Sequence, residues 1–112
     1  MTAGFLKRVN STIDSAEVKI NKFKESFDKD PSYALSWSLE AFQAAATLKI
    51  AKQIKDALET GTTVKDVREH LTSRIMHKAR WPAQSTSPTS NLTEQYEAAA
   101  MAEFLEESQY YE

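Results

Sequence analysis

Arg68, Arg74, His77, Lys78 and Arg80 fall within thirteen residues, with Trp81 directly after them. Guanidinium and ammonium groups bind phosphate and an indole stacks on bases, so this run has the composition of a nucleic-acid patch. The same cations suit the last turns of a helix, where they complement its carbonyl dipole. They also suit pairing with the carboxylates that follow. Glu94, Glu97, Glu103, Glu106, Glu107 and Glu112 lie in residues 81–112, which contain no Lys or Arg. Residues 1–61 carry nine cations against eight anions, residues 62–80 five against two, and residues 81–112 none against six. The segments are therefore +1, +3 and −6, and the chain is −2. The acidic tail weighs against a nucleic-acid role.

Other reactive groupings are sparse. His70 and His77 share a side of one helix with Arg74, but a seven-residue offset is about 10 Å along the axis. That is too far for one metal ion without further ligands. Glu103, Glu106 and Glu107 lack surroundings that would desolvate one carboxyl and make it an acid–base partner of another. There is no cysteine, so thiolate nucleophiles, zinc–thiolate sites, iron–sulfur clusters and disulfides are excluded. The segment Trp81–Asn91 is rich in Ser, Thr and Pro but lacks the glycines of a phosphate cradle. Ser85 and Ser87 are its exposed-hydroxyl candidates, and Ser87-Pro88 has the form of a proline-directed phosphorylation site. No catalytic residue, metal-ligand set or bound cofactor is expected, and the chain is read as a non-enzyme.

The elements that must position these residues read as helices. Punctuation is clear: Asp30-Pro31 starts a helix, with Asp as N-cap and Pro at N1. Gly61 suits a C′ cap, and Thr62 or Thr63 caps the next helix. Pro82 ends that helix, and Asn91-Leu-Thr-Glu94 resembles a capping box. Four helices are predicted, at about 4–28, 31–60, 63–80 and 92–109, with a loop at 81–91. No segment alternates as a strand. In the first helix Leu6, Val9, Ile13, Ala16, Ile20, Phe23 and Phe27 recur every three or four residues, a seam able to bury against one or two helices. In the second, Leu35, Leu39, Phe42, Ala46, Ile50, Ile54 and Leu58 form one face. Its additional alanines widen the apolar surface and mark it as the central helix. Val64, Val67, Leu71 and Ile75 give the third helix its inner side. Leu92, Tyr96, Ala99, Met101, Phe104 and Leu105 do so for the fourth, and Tyr110 and Tyr111 are expected to fray.

The 112 residues thus form one all-α domain, a small antiparallel bundle of three long helices plus a C-terminal fourth after a Ser/Thr/Pro loop. No apolar run reaches the ~20 residues of a membrane span. Asp14, Glu17, Glu25 and Asp28 oppose attachment of the first helix to anionic lipid. The expected role is a cytoplasmic protein–protein interaction module: a small adaptor, assembly subunit or inhibitor. Its composition is of a kind found among phage and mobile-element accessory proteins. A second copy of the chain is among the expected partners, because the first helix's seam can take another helix. Arg68, Arg74, His77, Lys78, Arg80, Trp81, Ser85, Ser87, Glu103, Glu106 and Glu107 are the candidate contact residues. The alternative is a nucleic-acid-associated regulator with the basic third helix as its surface and the acidic fourth helix as a brake.

Overall fold

The computed structural model describes the backbone of residues 2–80 and 88–111, and the side chains of residues 3–78 and 92–111. Its helices are α1 (Thr2–Lys29), α2 (Pro31–Leu35), α3 (Ser38–Glu59), α4 (Val64–Arg80) and α5 (Pro88–Ser108), followed by a 3-10 turn (Gln109–Tyr111). No strand occurs among the described residues. The chain is all-α, as its periodicities imply, and the helices form a bundle.

The caps at Asp30, Gly61 and Thr63 act where the sequence places them, while Pro82 lies outside the described residues. The Asp30 carboxylate accepts the Tyr33 N–H at 3.3 Å, ahead of Pro31 at N1. At the end of α3 the Thr62 N–H reaches the Ala57 carbonyl, and the Gly61 N–H reaches that of Leu58. This is the Schellman pattern. Gly61 supplies its left-handed residue at φ 99°, a region that side chains rarely occupy. Thr63 Oγ1 then accepts the Asp66 N–H at 3.1 Å, so Thr63 caps α4.

Three expected boundaries need correction. The continuous helix at 31–60 is interrupted at Ser36 and Trp37. The Ser36 hydroxyl donates to the Tyr33 carbonyl, and the Ser36 and Trp37 N–H groups bond three residues back instead of four. This local competition ends α2. It also turns Trp37 edge-on to Phe23 of α1, with ring centroids 5.3 Å apart. The last long helix begins at Pro88, not near residue 92, so Asn91 lies within it. Pro88 fits a first helical position because its missing N–H would be unpaired there anyway. The third correction is at the C-terminus, where Tyr111 packs on Phe5 at 5.5 Å between ring centroids. Its ring lies over Gly4, where a Cβ would come within 3.2 Å of Tyr111 Cδ1.

Helix α3 is central, packing on α1, α5 and α4. Helix α5 lies against both α3 and α4, whereas α3 and α4 touch little beyond the turn that joins them. The core draws Phe5, Val9 and Ile13 from α1 and Ile50, Ala51, Ile54 and Leu58 from α3. Val64, Val67 and Leu71 of α4 and Ala100, Met101 and Phe104 of α5 complete it. Each large apolar side chain fully enclosed here contributes roughly 1.5–3 kcal/mol. The seam of α1 is buried only through Ala16; Ile20 and Phe23 are half-covered and Phe27 is exposed. In α5, Ala99 faces outward while Glu97 and Ser108 are buried on the stripe with Ala100, Met101 and Phe104.

Candidate functional site

Two surfaces merit comparison. The first is the α4–α5 side, where the charged residues were expected to meet a partner. Lys78 of α4 donates to Glu94 of α5 at 2.5 Å, and its Nζ lies 4.0 Å from Glu97. Lys49 of α3 donates to the other Glu97 oxygen at 2.7 Å. Glu97 is 4% exposed, so one buried carboxylate ties together three helices. Its charge is balanced by two lysines whose ammonium stems reach in from the surface. The antiparallel course of α4 and α5 also brings Arg68 Nε to Ser108 Oγ at 3.3 Å. The Ser108 hydroxyl in turn donates a hydrogen bond to the Leu105 carbonyl.

The remaining candidates are dispersed. Arg74 donates to Gln53 of α3 at 2.8 Å, on the opposite flank of α4 from the α5 contact. His77 is exposed. Glu107 pairs with Arg8 of α1 through two hydrogen bonds at 3.2 and 3.3 Å. These bonds, and then the carboxylate's charge, hold the Arg8 guanidinium above its ordinary pKa. Glu103 and Glu106 are exposed and make no ion pair with any described residue. Trp81, Ser85 and Ser87 lie outside the described residues, as does the Arg80 side chain. Arg68, Arg74, His77 and Lys78 therefore do not form one outward cationic patch. Glu97 and Ser108 were missed as linking residues, although each occupies a core-facing position at the spacing of Met101 and Phe104.

The second surface is the end of the bundle built by the last turns of α1, by α2 and by the first turns of α3. Leu35 and Leu39 are 58% and 56% exposed, and Phe27, Tyr33 and Phe42 are also open. The Phe23 ring contacts those of Phe27 and Trp37, and Phe23 and Phe27 line a shallow depression with Lys24 and Asp28. The same segments carry Lys22, Lys24, Glu25, Asp28, Lys29, Asp30 and Glu40, all exposed and none ion-paired among the described residues, with Glu40 lining the α1–α3–α5 cleft.

Two clefts complete the surface. One of about 580 Å³ lies between α1, α3 and α5, with hydroxyls from Ser11, Thr12, Ser15 and Thr47 and charges of both signs. The other, of about 620 Å³, runs between α3 and α4 over Ile54, Ala57, Val67 and Leu71. Among the described residues no cluster of three His, Asp or Glu side chains could hold a metal ion. No described helix is long and apolar enough to cross a membrane. The chain matches no protein-family model, no curated protein and no solved structure.

Proposed function

We propose that the protein is a non-enzymatic, cytoplasmic protein–protein interaction module, an adaptor, assembly subunit or inhibitor, that docks through the α1–α2–α3 end. The observation that carries this reading is the gathering of Phe27, Tyr33, Leu35, Leu39 and Phe42, all exposed, within one stretch of sixteen residues. Single exposed apolar residues are ordinary, but five large ones exposed in so short a stretch favour an interaction site. The charged residues of α4 and α5 are poorer docking groups, because Lys78, Arg74, Glu94, Glu97 and Glu107 already have partners within the chain.

The nucleic-acid alternative suffers from the same internal pairing. Removing residues 92–112 would be a poor test of it, since Met101 and Phe104 are core residues. A better experiment uses the intact chain and its Leu35→Glu/Leu39→Glu variant as baits in lysate of the source organism, with and without nuclease treatment. Both positions are exposed, so the variant's melting temperature should stay near that of the wild type. One dominant protein held by the wild type and lost from the variant is expected. Retention of that protein by the variant would move the docking site elsewhere. Capture that vanishes with nuclease treatment would favour the nucleic-acid reading.

A further inference from the structure

We propose that the cleft between α3 and α4 is a binding site for a small organic anion with an apolar body, a medium-chain carboxylate held at Arg74. Its origin lies in how the bundle packs. Helix α5 lies against both α3 and α4, while α3 and α4 touch little beyond the turn that joins them. On the lips of this gap α4 sets Asp66, His70 and Arg74, and α3 sets Gln53 and Ala57, each four residues from the next. That spacing keeps them on one side of each helix, and none is a large apolar group that would close the gap. The gap therefore stays open over Ile54, Val67 and Leu71, three members of the core. Its volume, about 620 Å³, lies within the roughly 300–1,000 Å³ common for small-molecule sites, which occur between the helices of bundles.

The two ends of the cleft set the size of its occupant. Thr62 of the connecting turn lies at one end. At the other, Arg74 Nη1 donates to Gln53 Oε1 at 2.8 Å, a bridge from α4 to α3. Asp66 and Arg74 are about 12 Å apart along the helix axis. A space bounded in this way suits a short molecule better than a helix, which is itself about 10–12 Å across. Charge sets the occupant's direction. Arg74 is half-buried, and no carboxylate of the described residues pairs with it. Its bond to Gln53 fixes the guanidinium and uses one N–H, which leaves further donors for a carboxylate. His70, one turn nearer the connecting turn, adds a ring N–H on the same lip. Asp66, one turn further on and without an ion partner among the described residues, repels an anion from that end. The carboxylate therefore lies at Arg74 and the apolar body over Ile54, Ala57, Val67 and Leu71.

Titration of the isotope-labelled full chain with octanoate, followed by NMR, tests the proposal. Octanoate is expected to shift the methyl signals of Ile54, Val67 and Leu71 saturably. Octanol and octylammonium, with the same chain but no negative charge, should bind at least tenfold more weakly. Arg74→Gln should also bind octanoate at least tenfold more weakly. Its melting temperature should stay near that of the wild type, because Arg74 is partly exposed and outside the core. Leu35→Glu/Leu39→Glu, altered at the α1–α2–α3 end, should bind octanoate as the wild type does. The absence of a saturable shift in the cleft overturns the proposal. So does equal binding of octanoate and octylammonium, or equal binding of octanoate by Arg74→Gln and the wild type. Loss of octanoate binding in Leu35→Glu/Leu39→Glu would overturn it too, by moving the contact to the α1–α2–α3 end.

Discussion

The α4–α5 side and the α1–α2–α3 end carry similar raw material and use it differently. On the α4–α5 side several charges are matched inside the chain, Glu97 with Lys49 and Lys78, Glu94 with Lys78 and Glu107 with Arg8, while Glu103 and Glu106 stay open. Leu71, Met101 and Phe104 there are buried, although Met76 of α4 is exposed. At the other end both kinds of group stay open: leucines and aromatic rings are exposed, and rim charges lack ion partners. Charge density read along a sequence is therefore a poor guide to where a small bundle meets its partner. What matters is whether the charge is already answered by a neighbouring helix.

The largest effects should separate the two regions by stability. Ile13 is 6% exposed within the core, so Ile13→Asp would bury an unpaired carboxylate and should cost several kcal/mol, on the order of 2–5. Ile20 lies on the same seam but is only half-covered, and Ile20→Asp should cost clearly less. Urea denaturation followed by circular dichroism measures both. Equal losses would mean that α1 is packed as tightly at its far end as at its start, and the contrast between the regions would disappear.

The early part of that seam was legible because Val9, Ile13 and Ala16 repeat at helical spacing and meet α3. Asp30, Gly61 and Thr63 were legible because their side chains, or the lack of one, set backbone chemistry locally. The interruption at Ser36–Trp37 was not: an apolar stripe runs straight across it, while the Ser36 hydroxyl and the Ser36 and Trp37 N–H groups bond three residues back. Phe5 escaped notice because its cover comes partly from Tyr111, more than a hundred residues away. The linking role of Glu97 was hidden for a similar reason. A glutamate at a core position reads as a break in the stripe until lysines from two other helices are placed beside it.

Glu97 sharpens the comparison at intermediate magnitude. Glu97→Ala removes a carboxylate shared by α3, α4 and α5, but leaves two lysines that can turn to solvent. A loss of about 1–3 kcal/mol is expected, below the 3–5 typical when a buried charge is stranded. Glu97→Leu should recover part of that loss, since an apolar side chain suits the stripe with Met101 and Phe104. If Glu97→Ala melts like the wild type, the internal matching of charge on this side contributes little, and its residues become freer to serve a partner.

The Arg8–Glu107 pair should give the smallest effect and is the most sensitive to conditions. Arg8 is half-exposed and the pair joins the first turns of α1 to the last turn of α5. A solvent-accessible pair of this kind contributes about 0–1 kcal/mol, so Arg8→Ala should lower stability by no more than that. The difference between wild type and variant should shrink in high salt, which screens exposed charges. The raised Arg8 pKa fixes the sign of any pH dependence. A group whose folded pKa lies above its unfolded one stabilises fully below the unfolded value and loses that contribution as pH rises through the folded one. For arginine both values lie far above neutral, so the guanidinium's contribution is constant across the physiological range. Parallel melting-temperature profiles for wild type and Arg8→Ala between neutral and mildly alkaline pH are the expected result. Divergence there would assign the titration to another group and leave Arg8 as an ordinary surface cation.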